Sequence, residues 1–275
     1  MDRTERLRSM IALSGHGLEI GPSYNPLVPK SEGFDVVIAD YTDAAGLRAK
    51  YANTVNVDVA RIEEVDIVLD GSQSLHEAAG ARGSFDYIVA SHVIEHTPDM
   101  LGFLLSCQFL LKPSGILLLA VPDKRHCFDS LQPLTSTGAV LQAHLDGRTR
   151  PTPGAVFDDY AYNVVRNGAI GWGPEDTGTL QYFATIDDAK RVFEAAQGPG
   201  YIDVHVWRFV PSSFRLIMAD LAGCGRLELR EREFHGSIGN EFYMTFSGDA
   251  EGCAVDRLTL GRRAMIEQAS IFVDQ

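Results

Sequence analysis

The run Leu18-Glu19-Ile20-Gly21-Pro22-Ser23 is followed, nineteen positions after Gly21, by Asp40 at the end of Val36-Val37-Ile38-Ala39. Two later segments have the same form. Ile67-Val68-Leu69 ends in Asp70-Gly71-Ser72, and Phe85-Asp86-Tyr87-Ile88-Val89-Ala90 ends in Ser91-His92-Val93-Ile94-Glu95-His96. Short apolar runs closed by small or polar residues read as strands of a parallel sheet, whose ligands sit beyond the carboxyl ends of the strands. Gly21 removes a side chain where backbone must approach a ligand closely. An acid about twenty positions on, at the tip of the second strand, has the reach to accept from a ribose 2′-hydroxyl. Asp70 can accept from an adenine amino group while the backbone of Gly71 and Ser72 frames the ring. Taken singly, Gly21 is a generic turn glycine and Asp40 a helix cap. The order of the four pieces is what separates a nucleoside site from those plainer readings.

Outward from these pieces, Ile116-Leu117-Leu118-Leu119-Ala120-Val121 reads as a central strand covered on both faces. Before it, Leu101, Leu104, Leu105 and Leu111 form a helical stripe over 100–111, which Lys112-Pro113-Ser114-Gly115 ends. Strands alternating with helical patterns over the first 120 or so residues imply βαβ units. From Pro122 to about Tyr201 the chain turns rich in Pro, Gly, Asp and aromatics, too long a stretch for a bare loop. It reads as an insertion packed over the edge of the sheet. A helix is expected around Ser212–Leu221, strands at Leu227–Arg230 and Phe242–Phe246, and a C-terminal helix over 256–270.

The chain has 275 residues and a formal charge of −13. It lacks a Lys/Arg cluster, so no nucleic-acid partner is expected. The four cysteines are scattered, without zinc-finger spacing, and read as reduced thiols of a cytoplasmic protein. The charged start, Met1 to Ile11, has no apolar core of a secretory signal. The longest apolar run, Ile116 to Val121, falls far short of the ~20 residues of a membrane helix.

Together, Leu-Glu-Ile-Gly, the acid at Asp40, the segment from Asp86 to His96 and the segment from Leu111 to Pro122 resemble class I S-adenosylmethionine-dependent methyltransferases, most of all the branch that modifies small molecules and sugars. The resemblance covers about residues 12–122 and returns more weakly over 205–247. It implies an α/β, Rossmann-like, doubly wound and mostly parallel sheet with a C-terminal antiparallel hairpin and an inserted subdomain. Four parts follow: a cofactor-binding core over 1–122, an insertion or lid forming the acceptor pocket over 123–204, the last helix and hairpin over 205–250, and a C-terminal helix over 251–275. By matching position, Glu19, Gly21 and Asp40 bind S-adenosylmethionine, with Glu19 near the ammonium of its amino-acid tail. Pro22, Ser23, Tyr41, Asp70, Gly71, Ser72, Ser91 and His92 complete the expected cofactor site. The first turn departs from the family's pattern. Pro22, Pro26 and Pro29 preclude a regular helix interior, so the first helix is expected to be very short or replaced by a loop. The same prolines disfavour a dinucleotide-phosphate turn.

On the acceptor side, His96 and His126 are the candidate general bases, with Glu95 read as scaffold. Asp123 and Arg125, directly after the fifth strand, are candidate acceptor-binding residues, Arg125 as a clamp for an anion. Tyr160, Tyr162, Trp172 and Tyr182 can stack on a ring or simply anchor the insertion. The acid pairs Asp158-Asp159 and Asp187-Asp188 could recruit a cation with His144 or His205, but adjacent acids are usually caps or surface, so no metal is expected. The acceptor implied is a small molecule or a saccharide, methylated on oxygen or nitrogen, with glycan biosynthesis as one setting. The rival reading is a non-catalytic scaffold on the same fold. The apolar residues Leu258, Leu260, Met265, Ile266 and Ile271 would suit packing on the domain or on a second copy, so a homodimer stays open.

Overall fold

The computed structural model describes residues 1–71 and 73–270; Ser72 and Ile271 lie outside them. The nine strands among these residues are β1 (Gly17–Ile20), β2 (Val36–Asp40), β3 (Ile67–Val68), β4 (Phe85–Ser91), β5 (Leu111–Pro122), β6 (Val164–Arg166), β7 (Leu180–Tyr182), β8 (Arg230–Ile238) and β9 (Glu241–Ser247). The helices are α1 (Arg3–Arg8), α2 (Ala44–Tyr51), α3 (Leu75–Ala79), α4 (Met100–Leu110), α5 (Thr137–Leu145), α6 (Pro153–Tyr162), α7 (Ile186–Ala196), α8 (Pro211–Gly223) and α9 (Arg257–Ala269).

Seven strands form one sheet in the order β3-β2-β1-β4-β5-β9-β8. β1 through β5 pair in parallel, and β9 joins β5 antiparallel. The chain winds outward from β1 in one direction and from β4 in the other. The switch point therefore falls between β1 and β4, where a ligand crevice opens at the carboxyl ends. This is the α/β doubly wound, mostly parallel arrangement with a terminal hairpin that the sequence implies.

Alternation along the central strands divides the core between two faces. Leu18, Ile20, Ile88, Ala90, Leu117 and Leu119 pack with α4 and α8. Tyr87, Val89, Leu118 and Ala120 pack on the other face, with Leu7 of α1 and with Leu27 and Val28. Gly17 is required there: a Cβ would sit 2.1 Å from the Tyr87 ring. Between β1 and β2 the only helical element is one 3₁₀ turn, Lys30–Glu32. The loop that stands in for a helix buries Pro26 through Pro29, so its prolines contribute to the core without needing helical hydrogen bonds.

The hairpin begins later than the sequence suggests. Leu227 and Leu229 are buried in the core but lie outside the ladder. The Gln108 side-chain oxygen instead accepts from the amides of Glu228 and Leu229, and the strand proper begins at Arg230. β5 likewise begins before its Lys-Pro-Ser-Gly turn: Leu111 pairs with Phe85, and the ladder resumes at Ile116 opposite Tyr87 after a bulge. The stretch 123–204 holds α5 to α7 and the small β6–β7 ladder. Among the described residues, no helix is long and apolar enough to cross a membrane.

Candidate active site

The tips of β1, β2 and β4 meet at Gly21, Asp40 and Ser91. Gly21 has φ +64°, and a Cβ there would lie 2.9 Å from Val93 Cγ2. The turn is held by the Gly21 amide on the Ala39 carbonyl at 2.8 Å. Asp40 is 2% exposed. Its carboxylate accepts from the amide of Ser23 at 2.9 Å and from its neighbour Tyr41 at 2.8 Å. Burial raises its pKa, and the two amides oppose that rise. The acid thus fastens the first turn to the second strand tip while two of its four lone-pair positions are in use. Tyr41 stays about half exposed, with the Lys50 ammonium 4.7 Å from its ring centroid. Asp70 and Gly71 are exposed in the loop after β3.

Glu19 does not take the place expected for it beside an amino-acid tail. Odd positions of β1 face the second core cluster, so its carboxylate points under the proline-rich loop. There it accepts from the Leu27 amide at 2.6 Å and the Val28 amide at 3.0 Å. Burial outweighs these bonds and raises its pKa to about 7. A cationic group, not anticipated from the sequence, reaches the β4 tip from α1: Arg3 donates to Ser91 Oγ at 2.7 Å and to both oxygens of Glu241. His92, at φ +54°, is hydrogen-bonded to Glu241 at 2.8 Å. Buried Glu241, faced by His92 and Arg3, has its pKa lowered to about 2.

Beyond the β4 tip lies a cavity of about 260 Å3. Phe128, Ile170, Phe183 and Val204 form apolar walls, and Tyr160, Asp159, Asn163, Asp203, His96 and His205 supply polar atoms. Of the residues expected on the acceptor side, His96 and Tyr160 come together here. His126, Asp123 and Arg125 do not line it. Asp123 is fully buried and Arg125 turns back onto it, the guanidinium reaching a carboxylate oxygen at 2.5 Å, while Ser237 donates to the same oxygen. Arg125, with its side chain 18% exposed, thus faces Asp123 rather than the cavity. His144 is bonded to Asp99, and the Asp188 carboxylate accepts from the amide and hydroxyl of Thr185, the N-cap of α7, so neither joins the cavity.

The cavity floor carries a polar cluster only partly visible in the sequence. Glu95 is fully buried, and neither of its carboxylate oxygens has a hydrogen-bond partner. His205 Nε2 lies 3.9 Å from Glu95 Oε1, and its Nδ1 lies 2.5 Å from Asp129 Oδ2. His96 Nδ1 is 2.9 Å from Asp203 Oδ1, and the His96 and His205 rings meet edge to face. Burial opposes charge on His96, but Asp203 and Glu95 prevail and raise its pKa to about 9. Buried Asp129 is held below the usual carboxylate range by His205, Arg208 and Lys124. The ligand atoms of Glu95, His96 and His205 all fall within 4.8 Å of one another, a grouping able to hold a metal ion. Asp129, Asp203 and Arg208 carry no motif; only the fold gathers them. His205 stood in the sequence solely as a partner for acid pairs, and of those pairs only Asp159 reaches the cavity.

A family model described as a methyltransferase domain matches residues 2–220 of the chain. Among curated proteins, the chain is 35% identical over 72 residues to a ubiquinone biosynthesis O-methyltransferase from Cereibacter sphaeroides, covering 25% of this chain and 29% of that protein. It is 39% identical over 72 residues to the protein of that name from Dinoroseobacter shibae, with the same coverage. The chain thus spans less than a third of the length of the curated relatives it matches. Among solved structures, an SAM-dependent methyltransferase from Aquifex aeolicus is 11% identical, covers 89% of this chain and 88% of its own, and gives a TM-score of 0.45.

Proposed function

Because the chain belongs to the methyltransferase-domain family, matched over residues 2–220, we propose that it transfers the methyl group of S-adenosylmethionine to a hydroxyl of a small, neutral ring compound. The observation that carries this is the cavity directly beyond the β4 tip, with apolar walls and His96 and His205 at one end. Its lining residues include no lysine or arginine, which argues against an anionic acceptor. The aromatic walls suit the flat or apolar face of a ring, and Asp159, Asn163 and Asp203 offer partners to further hydroxyls. A saccharide is one member of this class. The O-methyl transfer in the names of the curated relatives agrees with an oxygen acceptor. The stretch 123–204 supplies much of the cavity wall and would act as its lid.

The residues present fit the cofactor unequally at its two ends. Gly21 leaves backbone open to close approach at the switch point, and Asp40 retains lone pairs for ribose hydroxyls. Tyr41 and the Asp70-Gly71 loop give the adenine an exposed ring and backbone beside them. At the amino-acid end Glu19 is committed to the loop, and Arg3 at the β4 tip takes over as the group facing the tail carboxylate. When bound, the cofactor supplies an electrophilic methyl on a sulfonium. The protein holds the acceptor oxygen in line with that methyl carbon, excludes water behind apolar walls, and receives the hydroxyl proton at the cluster of Glu95, His96 and His205. With the cofactor held by Gly21, Asp40 and Arg3, its sulfonium would give up the methyl group to that oxygen and keep the electron pair of the broken C–S bond.

Calorimetric titration with S-adenosylmethionine and S-adenosylhomocysteine, beside Asp40→Ala, tests the cofactor half. Binding weakened in the variant by about 1–3 kcal/mol, the cost of unpaired buried hydroxyls, is the expected result. A screen of phenols and saccharides for S-adenosylhomocysteine release tests the acceptor half. Absence of binding by both ligands leaves the non-catalytic scaffold as the function of the fold.

A further inference from the structure

Glu95 is a buried carboxylate without a single hydrogen-bond donor on either oxygen. Carboxylates removed from water are paired, hydrogen-bonded or bound to metal. Three imidazoles stand beside it: His92, whose Nδ1 is 3.5 Å from Glu95 Oε1 and whose Nε2 is held by Glu241, and His205 and His96, each turned by a carboxylate on its Nδ1. Asp129 fixes Nδ1 of His205 at 2.5 Å, and Asp203 fixes Nδ1 of His96 at 2.9 Å. Both Nε2 atoms are thereby left for a ligand. A histidine whose second nitrogen is held by a carboxylate is the arrangement that orients metal-binding imidazoles.

The surroundings are rich in carboxylates. Glu95, Asp129, Asp159 and Asp203 are four formal carboxylates, against which stand Arg208, 3.5 Å from Asp129 and 3.8 Å from Asp159, and Lys124, whose ammonium is turned to the Ser130 carbonyl. The cluster is also rigid. The amides of Val206 and Trp207 both donate to the Glu95 carbonyl, at 2.7 and 3.2 Å, and the Trp207 indole donates to the Thr97 carbonyl at 2.6 Å. These bonds fix the backbone beside all three side chains, and a bound cation would draw their ligand atoms by side-chain rotation to about 3–3.5 Å from one another, the spacing set by metal–ligand bonds of about 2.0–2.2 Å.

We propose that Glu95, His96 and His205 bind a divalent transition-metal cation on the wall of the cavity, with Asp129 and Asp203 as positioning residues. Two imidazoles and one carboxylate select zinc, cobalt, iron or nickel over magnesium, which prefers an all-oxygen shell. The open side of the cation faces the cavity, where an acceptor oxygen would complete its coordination and lose its proton more readily. That last consequence rests on reading the cavity as the acceptor site; the cation site itself does not.

The test uses the full chain, stripped with a chelator and dialysed. Cobalt(II) titration followed by visible absorption is expected to give stoichiometric binding with the intense bands of a low-coordinate site, displaced by zinc(II) and left intact by excess magnesium. His205→Asn and Glu95→Gln are expected to abolish the bands. Asp203→Asn, in which the changed side chain is largely exposed, is expected to fold as the parent does, checked by its melting temperature, and to weaken binding by about 10–100-fold. No stoichiometric cobalt, displacement by magnesium, or unchanged affinity in Asp203→Asn and a folded His205→Asn would each overturn the proposal. Tight cobalt binding without methyl transfer to any acceptor would leave the site standing and remove the acceptor reading instead.

Discussion

The Val206 amide donates to the Glu95 carbonyl at 2.7 Å, and this bond is what sets His205 beside Glu95. One partner follows the fourth strand and the other leads into α8. Segments far apart in the chain are registered by backbone, and their side chains inherit that register. The Trp207 indole adds a second anchor on Thr97. Trp207→Phe keeps most of the buried ring but leaves the Thr97 carbonyl unpaired, at a cost of about 1–3 kcal/mol. Urea denaturation should show that loss. Acceptor KM should rise while S-adenosylhomocysteine affinity stays level, because the displaced residue is His205 and not the nucleoside site.

Glu19 makes stability depend on pH. Its pKa rises from 4.5 in the unfolded chain to about 7 in the fold, chiefly through burial. Between these values the folded state holds the extra proton, so the contribution is full below pH 4.5 and is lost as pH climbs through 7. The swing is on the order of 3 kcal/mol. Unfolding free energies across this range should fall in the parent protein and run flatter in Glu19→Gln. Parallel curves for the two proteins would refute the assignment.

Glu241 works in the opposite sense. With a folded pKa of about 2, its contribution is present above the ordinary 4.5 and disappears as pH falls toward 2. Glu241→Gln should therefore blunt acid unfolding and loosen α1 from the sheet, detected as faster amide exchange over Arg3–Arg8.

Arg3, half of that pair, is expected to meet the carboxylate of the cofactor's tail. Arg3→Ala should weaken S-adenosylhomocysteine by about 1.5–3 kcal/mol, the range for a hydrogen bond to a charged group, and leave adenosine binding unchanged. Equal losses for both ligands would show that the helix supports the whole site and that the arginine has no share in the tail.

Gly21→Ala combines a left-handed backbone with a Cβ 2.9 Å from Val93. The strain of about 1–2 kcal/mol and the shift of Val93 should lower the melting temperature and S-adenosylhomocysteine affinity together.

The parallel sheet was legible because its signals are local. β1 through β5 are short apolar runs closed by polar tips, and the prolines at 22, 26 and 29 announced that the helix after β1 would be very short or replaced by a loop. Local patterns also placed Gly21 and Asp40 at the switch point, since position along a strand fixes which end of the sheet a residue occupies. They could not say where a side chain points once the loop above it has folded. Glu19 turned under that loop because the pleat sends it to the face covered by Leu27 and Val28, and Asp123 captured Arg125 because the hairpin closed over both. Asp129, Asp203, His205 and Arg208 lie on segments without periodicity, so no residue spacing joins them to Glu95 and His96. Their meeting depends on backbone hydrogen bonds between distant segments and on charges that no longer have water to screen them. The sequence alone determined the parallel polarity of the sheet and placed Gly21 and Asp40 at the carboxyl ends of its strands; the tertiary structure decided which way the charged groups around them face, because burial and long-range pairing, not chain position, fix the direction of a side chain.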